Sequence, residues 1–275
     1  MKDIIAKENI YNSKGVLLVA KGQKITRNIE QKLQSLSLGS ENEEISDLNK
    51  RISITECSEK ITKTYPYIDS ALIEKATVIL NSKIFYSKSE PWWFLICTLS
   101  NYDEWLYTHS IDVALISTMM LIKLTNNERE QNQICLGALL HDIGKLLIPK
   151  RLLQDFDKLN DQEKSIVKQH CELGYDMITK IDLSEECADI VLQHHERMDG
   201  SGYPNQIKEK EISEFAKIVM IADAVDNITS YGFHQETKDI RNGIQTLLEE
   251  HSQFDSRYVR LLCECMGEKV KNKEQ

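Results

Sequence analysis

No uninterrupted apolar run in the 275 residues approaches the ~18 that cross a bilayer; the most apolar stretches, 92–99 and 113–124, are separated by Asp103, Glu104, His109 and Asp112. No membrane partner is expected. The opening residues, Met1 to Glu8, lack the basic-then-apolar order of a secretory leader, so the expected location is cytoplasmic. Cysteine pairing is missing too. The 7 cysteines are odd in number and contain no C-x-x-C, which suits reduced thiols in a core rather than a disulfide framework or a zinc finger. Positive charge is in deficit, with 34 Lys and Arg against 43 Asp and Glu and a net charge of −9. Duplex nucleic acid is therefore excluded as a partner, because backbone binding needs a basic face to release counterions. A small anionic ligand stays open if local cations or metal offset the overall field. Only 4 prolines interrupt the chain, and it has neither an internal repeat nor a low-complexity tract.

What is present, 41% hydrophobic and 28% charged residues, is the composition of a globular protein. Residues 1–45 read as a small β-rich N-terminal module. Two β-rich pieces within 9–22 flank an Asn-Ser-Lys-Gly turn, and Thr26 caps a helix carrying Ile29, Leu33 and Leu36. Residues 46–61, following a polar acidic run, are expected as a linker. Residues 62–275 form the main domain, mainly α. Its apolar stripes recur at helical spacing through Leu106, His109, Val113, Ile116 and Met120; through Ile134, Ala138, His141 and Lys145; and through Ile166, His170, Leu173 and Met177. Asn160 with Glu163 reads as a capping box, and Ser184 as the cap of a helix bearing His194 and His195.

Five of the 7 histidines (109, 141, 170, 194 and 195) lie on these apolar faces. One such histidine is ordinarily a hydrogen-bonded core residue. Five on four helices are costly to bury singly, whereas convergence on metal satisfies them together. Successive positions 109, 141, 170 and 194, and then Asp223 after His195, are 24 to 32 residues apart, so one ligand arrives per helix. His141-Asp142 and His194-His195 are adjacent pairs whose side chains diverge by ~100° on a helix. Each can therefore subtend a groove, which favours two metals over one. Mixed His/Asp donors suit iron, manganese, nickel or zinc.

Tyr107-Thr108-His109-Ser110, Leu139-Leu140-His141-Asp142-Ile143-Gly144-Lys145 with Ile148-Pro149, His170, and His194-His195-Glu196-Arg197-Met198-Asp199-Gly200-Ser201-Gly202-Tyr203-Pro204 resemble the HD-GYP family. Ala222-Asp223-Ala224-Val225-Asp226 with Thr229-Ser230, and Phe254-Asp255-Ser256, resemble its later motifs. The resemblance implies an HD-superfamily helical bundle and a phosphodiesterase that hydrolyses cyclic di-GMP to linear pGpG or GMP through a hydroxide activated by two divalent transition-metal ions, iron or manganese. By the same carry-over His109, His141, Asp142 and Asp223 hold one metal, and Asp142, His170, His194 and His195 the other. Asp142 and Lys145 are the implied catalytic residues. Lys145, Gly200, Gly202, Tyr203 and Pro204 are the implied substrate-binding residues. A cyclic dinucleotide, a signalling protein at the Gly-Tyr-Pro loop and a second copy of the chain are the implied partners. Hydrolysis of another cyclic dinucleotide, or a weakly active nucleotide-binding or partner-binding scaffold, is the alternative.

The chain departs from the family at two places. Some relatives carry a glutamate four residues before the first histidine, as part of a third metal site; here the position is Trp105. After Thr229-Ser230 the family commonly shows D-R-P-Y-R, but this chain reads Tyr231-Gly232-Phe233-His234-Gln235. Loss of both guanidinium clamps is expected to weaken binding or shift substrate choice while sparing the metal ligands.

Overall fold

The computed structural model describes residues 4–5, 10–11, 17–19, 24–25, 54–86, 90–154, 156–181, 183–229, 240–249 and 252–268. Four strand segments pair as two separate antiparallel ladders: β1 (Ile4–Ile5) with β4 (Lys24–Ile25), and β2 (Ile10–Tyr11) with β3 (Leu17–Val19). The helix expected after Thr26 lies outside the described residues, as does the departure at 231–235.

Among the described residues the rest of the regular structure is helical: α1 Ile54–Thr64, α2 Ser70–Tyr86, α3 Trp93–Tyr102, α4 Glu104–Leu124, α5 Glu128–Leu140, α6 Asp161–Lys168, α7 His170–Thr179, α8 Glu185–Gln193, α9 Glu214–Thr229, α10 Ile240–Glu249 and α11 Ser256–Met266. The protein is mainly α, as expected. α1 runs into the 46–61 stretch expected as a linker, because Ile54, Cys57 and Ile61 recur on one face and bury it. The stripe through Ile166 and His170 is not one helix: α6 ends at Lys168 and α7 restarts at His170. Likewise α5 stops at Leu140, and Lys145 lies in a separate 3-10 turn, Ile143–Leu147.

α4 is the hub. It packs against α1, α2, α3, α5, α9 and α11, and Ile111, Val113, Ala114, Leu115, Met119 and Met120 are fully enclosed. Its length and composition would suit a membrane span, yet 89% of its most apolar window is buried in the protein, so the apolarity is that of a core helix. Side chains fix the helix starts. Asp103 accepts from Leu106 N–H at α4, Asn127 from Arg129 N–H at α5, and Asp255 from Arg257 N–H at α11. The Asn160–Glu163 capping box forms at α6, and Ser184 caps α8.

One close approach positions the site. A Cβ on Gly144 would lie 1.9 Å from the His170 carbonyl oxygen and 2.6 Å from Gly174 N, so the 3-10 turn meets the start of α7 backbone to backbone. Asp142 is thereby carried beside His170. Gly144→Ala has no side-chain end to push aside and should cost about 3 kcal/mol or more, the upper part of the overpacking range. Thermal denaturation of the variant against the parent reads that loss.

Candidate metal centre

The seven residues that the sequence nominates as metal ligands come together in two adjoining clusters. Asp142, His170, His194 and His195 form one, and His109, His141 and Asp223 the other, with the donor atoms in each within 4.8 Å of one another. Asp142 joins them. Its Oδ1 lies 3.2 Å from His170 Nε2 and 3.7 Å from His194 Nε2, while its Oδ2 lies 3.4 Å from His141 Nε2 and 3.7 Å from His109 Nε2. Asp223 Oδ1 sits 3.1 Å from His109 Nε2 and 3.7 Å from His141 Nε2, with Oδ2 3.9 Å from His195 Nδ1. Of the five histidines in these clusters, His195 alone keeps appreciable exposure, 17% of its side chain.

The imidazoles are aimed by their outer nitrogens. His141 Nδ1 is 2.7 Å from the Ala138 carbonyl oxygen, His170 Nδ1 2.8 Å from that of Val167 and His194 Nδ1 3.0 Å from that of Val191. A carbonyl only accepts, so each Nδ1 carries the proton and each Nε2 turns a lone pair inward. His109 is held differently, with Nδ1 2.7 Å from Asp226 Oδ2. The inward atoms lack partners: His109 Nε2, His141 Nε2 and Asp142 Oδ1 are buried and make no hydrogen bond. His170 Nε2 and His194 Nε2 face each other at 3.2 Å. Lone pairs opposed at such distances in a dry interior repel unless a cation or proton lies among them. The donor set therefore fits divalent metal, held by Asp142, His170, His194 and His195 on one side and by His109, His141, Asp142 and Asp223 on the other.

Without metal the protonation states divide: His194 and His195 are neutral, whereas His109 holds a proton that a metal at its Nε2 has to displace. Burial pushes His194 down to about 4 and takes His195 well below its ordinary value, the latter helped by His194 beside it. Burial would raise the Asp142 carboxyl, but Lys145 and His141 outweigh it and hold it well below the carboxylate range. Asp223 is likewise lowered against burial, chiefly by His109, whose Nε2 lies 3.1 Å from its Oδ1. Burial lowers His109 as well, and the carboxylates of Asp223 and Asp226 reverse that, raising it to about 10.

Lys145 Nζ lies 2.5 Å from Asp142 Oδ2, so its ammonium is bonded to the joining carboxylate while its side chain also lines the adjoining cleft. That cleft, about 340 Å³, is walled by Trp105, Leu106, Leu152 and Phe156, with Lys150, His170 and His195 at its surface. Of the implied loop residues, Tyr203 reaches the cleft, its ring 4.7 Å from His195. Gly200, Gly202 and Pro204 are not among the lining residues and shape the loop instead. Gly200 has φ +81°, and a Cβ on Gly202 would strike the Glu196–Arg197 backbone at 2.5 Å. The Tyr203–Pro204 bond is cis. Buried Glu196 accepts from Asn205 N–H at 2.7 Å and ties the far end of the loop back to the His-His pair.

Sequence reasoning did not assign a role to Asp226, although its position three residues after Asp223 puts both on one helical face. Lys60 and Asp112 were missed as well. Asp112, one turn beyond His109 and fully buried, accepts from Lys60 Nζ at 2.6 Å across 52 residues, a pairing no local pattern signals.

An HD domain family model matches residues 94–258. A Pseudomonas aeruginosa protein named as a cyclic di-GMP phosphodiesterase is 31% identical over 170 residues, covering 62% of this chain and 41% of that protein. A Thermotoga maritima protein of the same name is 32% identical over 59% of this chain and 46% of its own length. A Vibrio cholerae protein named as a 3'3'-cGAMP-specific phosphodiesterase is 34% identical over 50% of this chain and 27% of its length. The match thus spans less than half of these relatives. A solved Bdellovibrio bacteriovorus structure, described as an HDG"Y"P protein, shares the fold with a TM-score of 0.53 at 19% identity over 96% of both chains.

If Asp226 fixes the His109 tautomer, Asp226→Asn should weaken metal binding at the His109 cluster by roughly 10- to 100-fold, the usual cost of losing such an outer partner. Metal titration of the refilled protein, with circular dichroism to verify the fold, checks this. The family model over most of the helical domain, with the seven candidate ligands gathered in two clusters, puts this chain in the HD domain family.

Proposed function

We propose that the chain is a metal-dependent phosphodiesterase that hydrolyses cyclic di-GMP to pGpG or GMP. The observation that carries the reading is Asp142, which turns one carboxylate oxygen to each ligand cluster. Iron or manganese is the proposed metal, on the strength of mixed imidazole and carboxylate donors. Two such ions, when bound, would act as Lewis acids that activate water near neutral pH and offset charge on the phosphoryl oxygens. The chain's own residues do the rest. Water adds to phosphorus, the bond from phosphorus to the 3' oxygen breaks, and that oxygen takes up a proton. Lys145 and Lys150 supply positive charge along the cleft in an otherwise acidic protein. Tyr203 and His195 flank its inner end, and the buried carbonyl contacts keep the histidines aimed while excluding bulk water.

A second reading, hydrolysis of another cyclic dinucleotide, is supported by the similarity to a cGAMP-specific relative and by Gly232 and Gln235 standing where relatives carry arginine. The β-rich N-terminal module, cytoplasmic location, a protein partner at the loop and a homodimer belong to the same proposal. The two short ladders support the first, seven free cysteines the second, and exposed Asp199 and Ser201 at the loop tip the third.

Protein supplied with iron or manganese should carry about two ions per chain, as a two-metal site requires, and should linearise cyclic di-GMP in a chelator-sensitive reaction. Asp142→Ala should lose metal and activity together. Elemental analysis, with chromatography of products from cyclic di-GMP, 3'3'-cGAMP and cyclic di-AMP, reads both. A folded, reconstituted sample without metal contradicts the hydrolase and leaves the scaffold reading; turnover of a different dinucleotide selects the second.

A further inference from the structure

The aromatic rings of the site form a continuous row across both ligand clusters. Trp105 stacks on His109 with centroids 5.3 Å apart and planes 4° from parallel. From there the row passes through His141, His194 and His195 to Tyr203, with successive centroids 5.2, 4.9, 4.2 and 4.7 Å apart. Trp105 and Tyr203 thus end the row at opposite sides of the centre, and both line the cleft. They are not equally available. Tyr203 has His195 against its ring and Lys168 Nζ 5.0 Å from its centroid. Trp105 is half-buried with His109 beside it, and among the described residues no other ring or cation packs on it.

We propose that Trp105 is a substrate-binding residue of this enzyme, the platform on which a purine base of the substrate stacks. The inference rests on the nucleotide-hydrolase reading. The indole, with Tyr102 and Leu106 near it, gives a flat apolar wall, while Lys145 and Lys150, paired with Asp142 at 2.5 Å and Asp103 at 3.2 Å, line the same cleft and bring ammonium donors within it for a phosphate on that nucleotide. A volume of about 340 Å³ is at the low end for small-molecule sites, ~300–1,000 Å³, and matches one nucleotide half better than a whole cyclic dinucleotide. Base stacking tolerates either purine, because each presents a π face.

The test uses GMP and ribose 5-phosphate on the metal-loaded full chain. GMP holds no diester, so its binding reads stacking whether or not a cyclic dinucleotide is hydrolysed. GMP should quench tryptophan fluorescence and ribose 5-phosphate should not. In Trp105→Phe the remaining Trp92 and Trp93 should give no GMP quenching, while GMP affinity stays within about threefold of the parent because a ring is kept. Trp105→Leu, with apolar bulk retained against His109, should bind GMP about tenfold more weakly, within the range for loss of one stacking ring. It should keep its metal content and its ribose 5-phosphate affinity, and raise KM for the dinucleotide more than it lowers kcat. Unchanged GMP affinity in Trp105→Leu overturns the proposal. So does a parallel loss of metal and of ribose 5-phosphate affinity, which would make Trp105 a packing residue for His109. Failure of the parent to hydrolyse any cyclic dinucleotide, with GMP quenching intact, would sink the proposed function and leave the stacking site standing.

Discussion

The structure depends on one awkward arrangement: a buried carboxylate, Asp142, set among four inward-facing imidazole nitrogens at 3.2 to 3.7 Å. A dry interior rejects such a cluster of lone pairs unless positive charge lies among them. Lys145 bonds one Asp142 oxygen, but the histidines turn their Nδ1 donors outward to backbone carbonyls and to Asp226, and His141, His170 and His194 are left as acceptors facing acceptors. That choice makes sense for a centre assembled to hold cations, and it explains why so many polar groups are tolerated in an otherwise apolar core.

The surrounding helices exist in the form they do to bring those groups together. α4 supplies His109 from the middle of the core, the end of α5 and the turn after it supply His141 and Asp142, α7 begins with His170, α8 ends at the His194–His195 pair, and α9 adds Asp223 and Asp226. Several of these donors sit at helix ends rather than in helix interiors. At an end the backbone can change direction, so neighbouring residues such as His141 and Asp142 reach different parts of the centre. Gly144 and Gly174 then let the HD turn and α7 touch through their backbones, a packing that fixes Asp142 against His170 with no adjustable side chain between them.

The candidate ligands were legible in the sequence because metal binding demands residue types that a core otherwise excludes. Histidines on apolar stripes, one per helix, could be read without any knowledge of tertiary contacts, and so could the mainly α architecture. Helix breaks at Gln169 and His141 were not legible, since neither carries a proline or glycine at the break; packing of the two turns decides them. Lys145 was expected one helical turn from His141, but the chain enters a 3-10 turn there and the ammonium folds back onto Asp142. Asp226 had a local signal in its spacing from Asp223. Lys60 and Asp112 had none, because an ion pair between α1 and α4 is set by the fold alone. The apolar length of α4 shows the same limit in reverse: only burial distinguishes a core helix from a bilayer-spanning one.

Anomalous diffraction from crystals of the metal-loaded protein, collected on both sides of the metal absorption edge, tests the central claim most directly. Two peaks flanking the Asp142 carboxylate are predicted, one among His170, His194 and His195 and the other among His109, His141 and Asp223. A fully reconstituted, folded protein with no peak there, or with peaks elsewhere and the imidazoles hydrogen-bonded to one another, would contradict it.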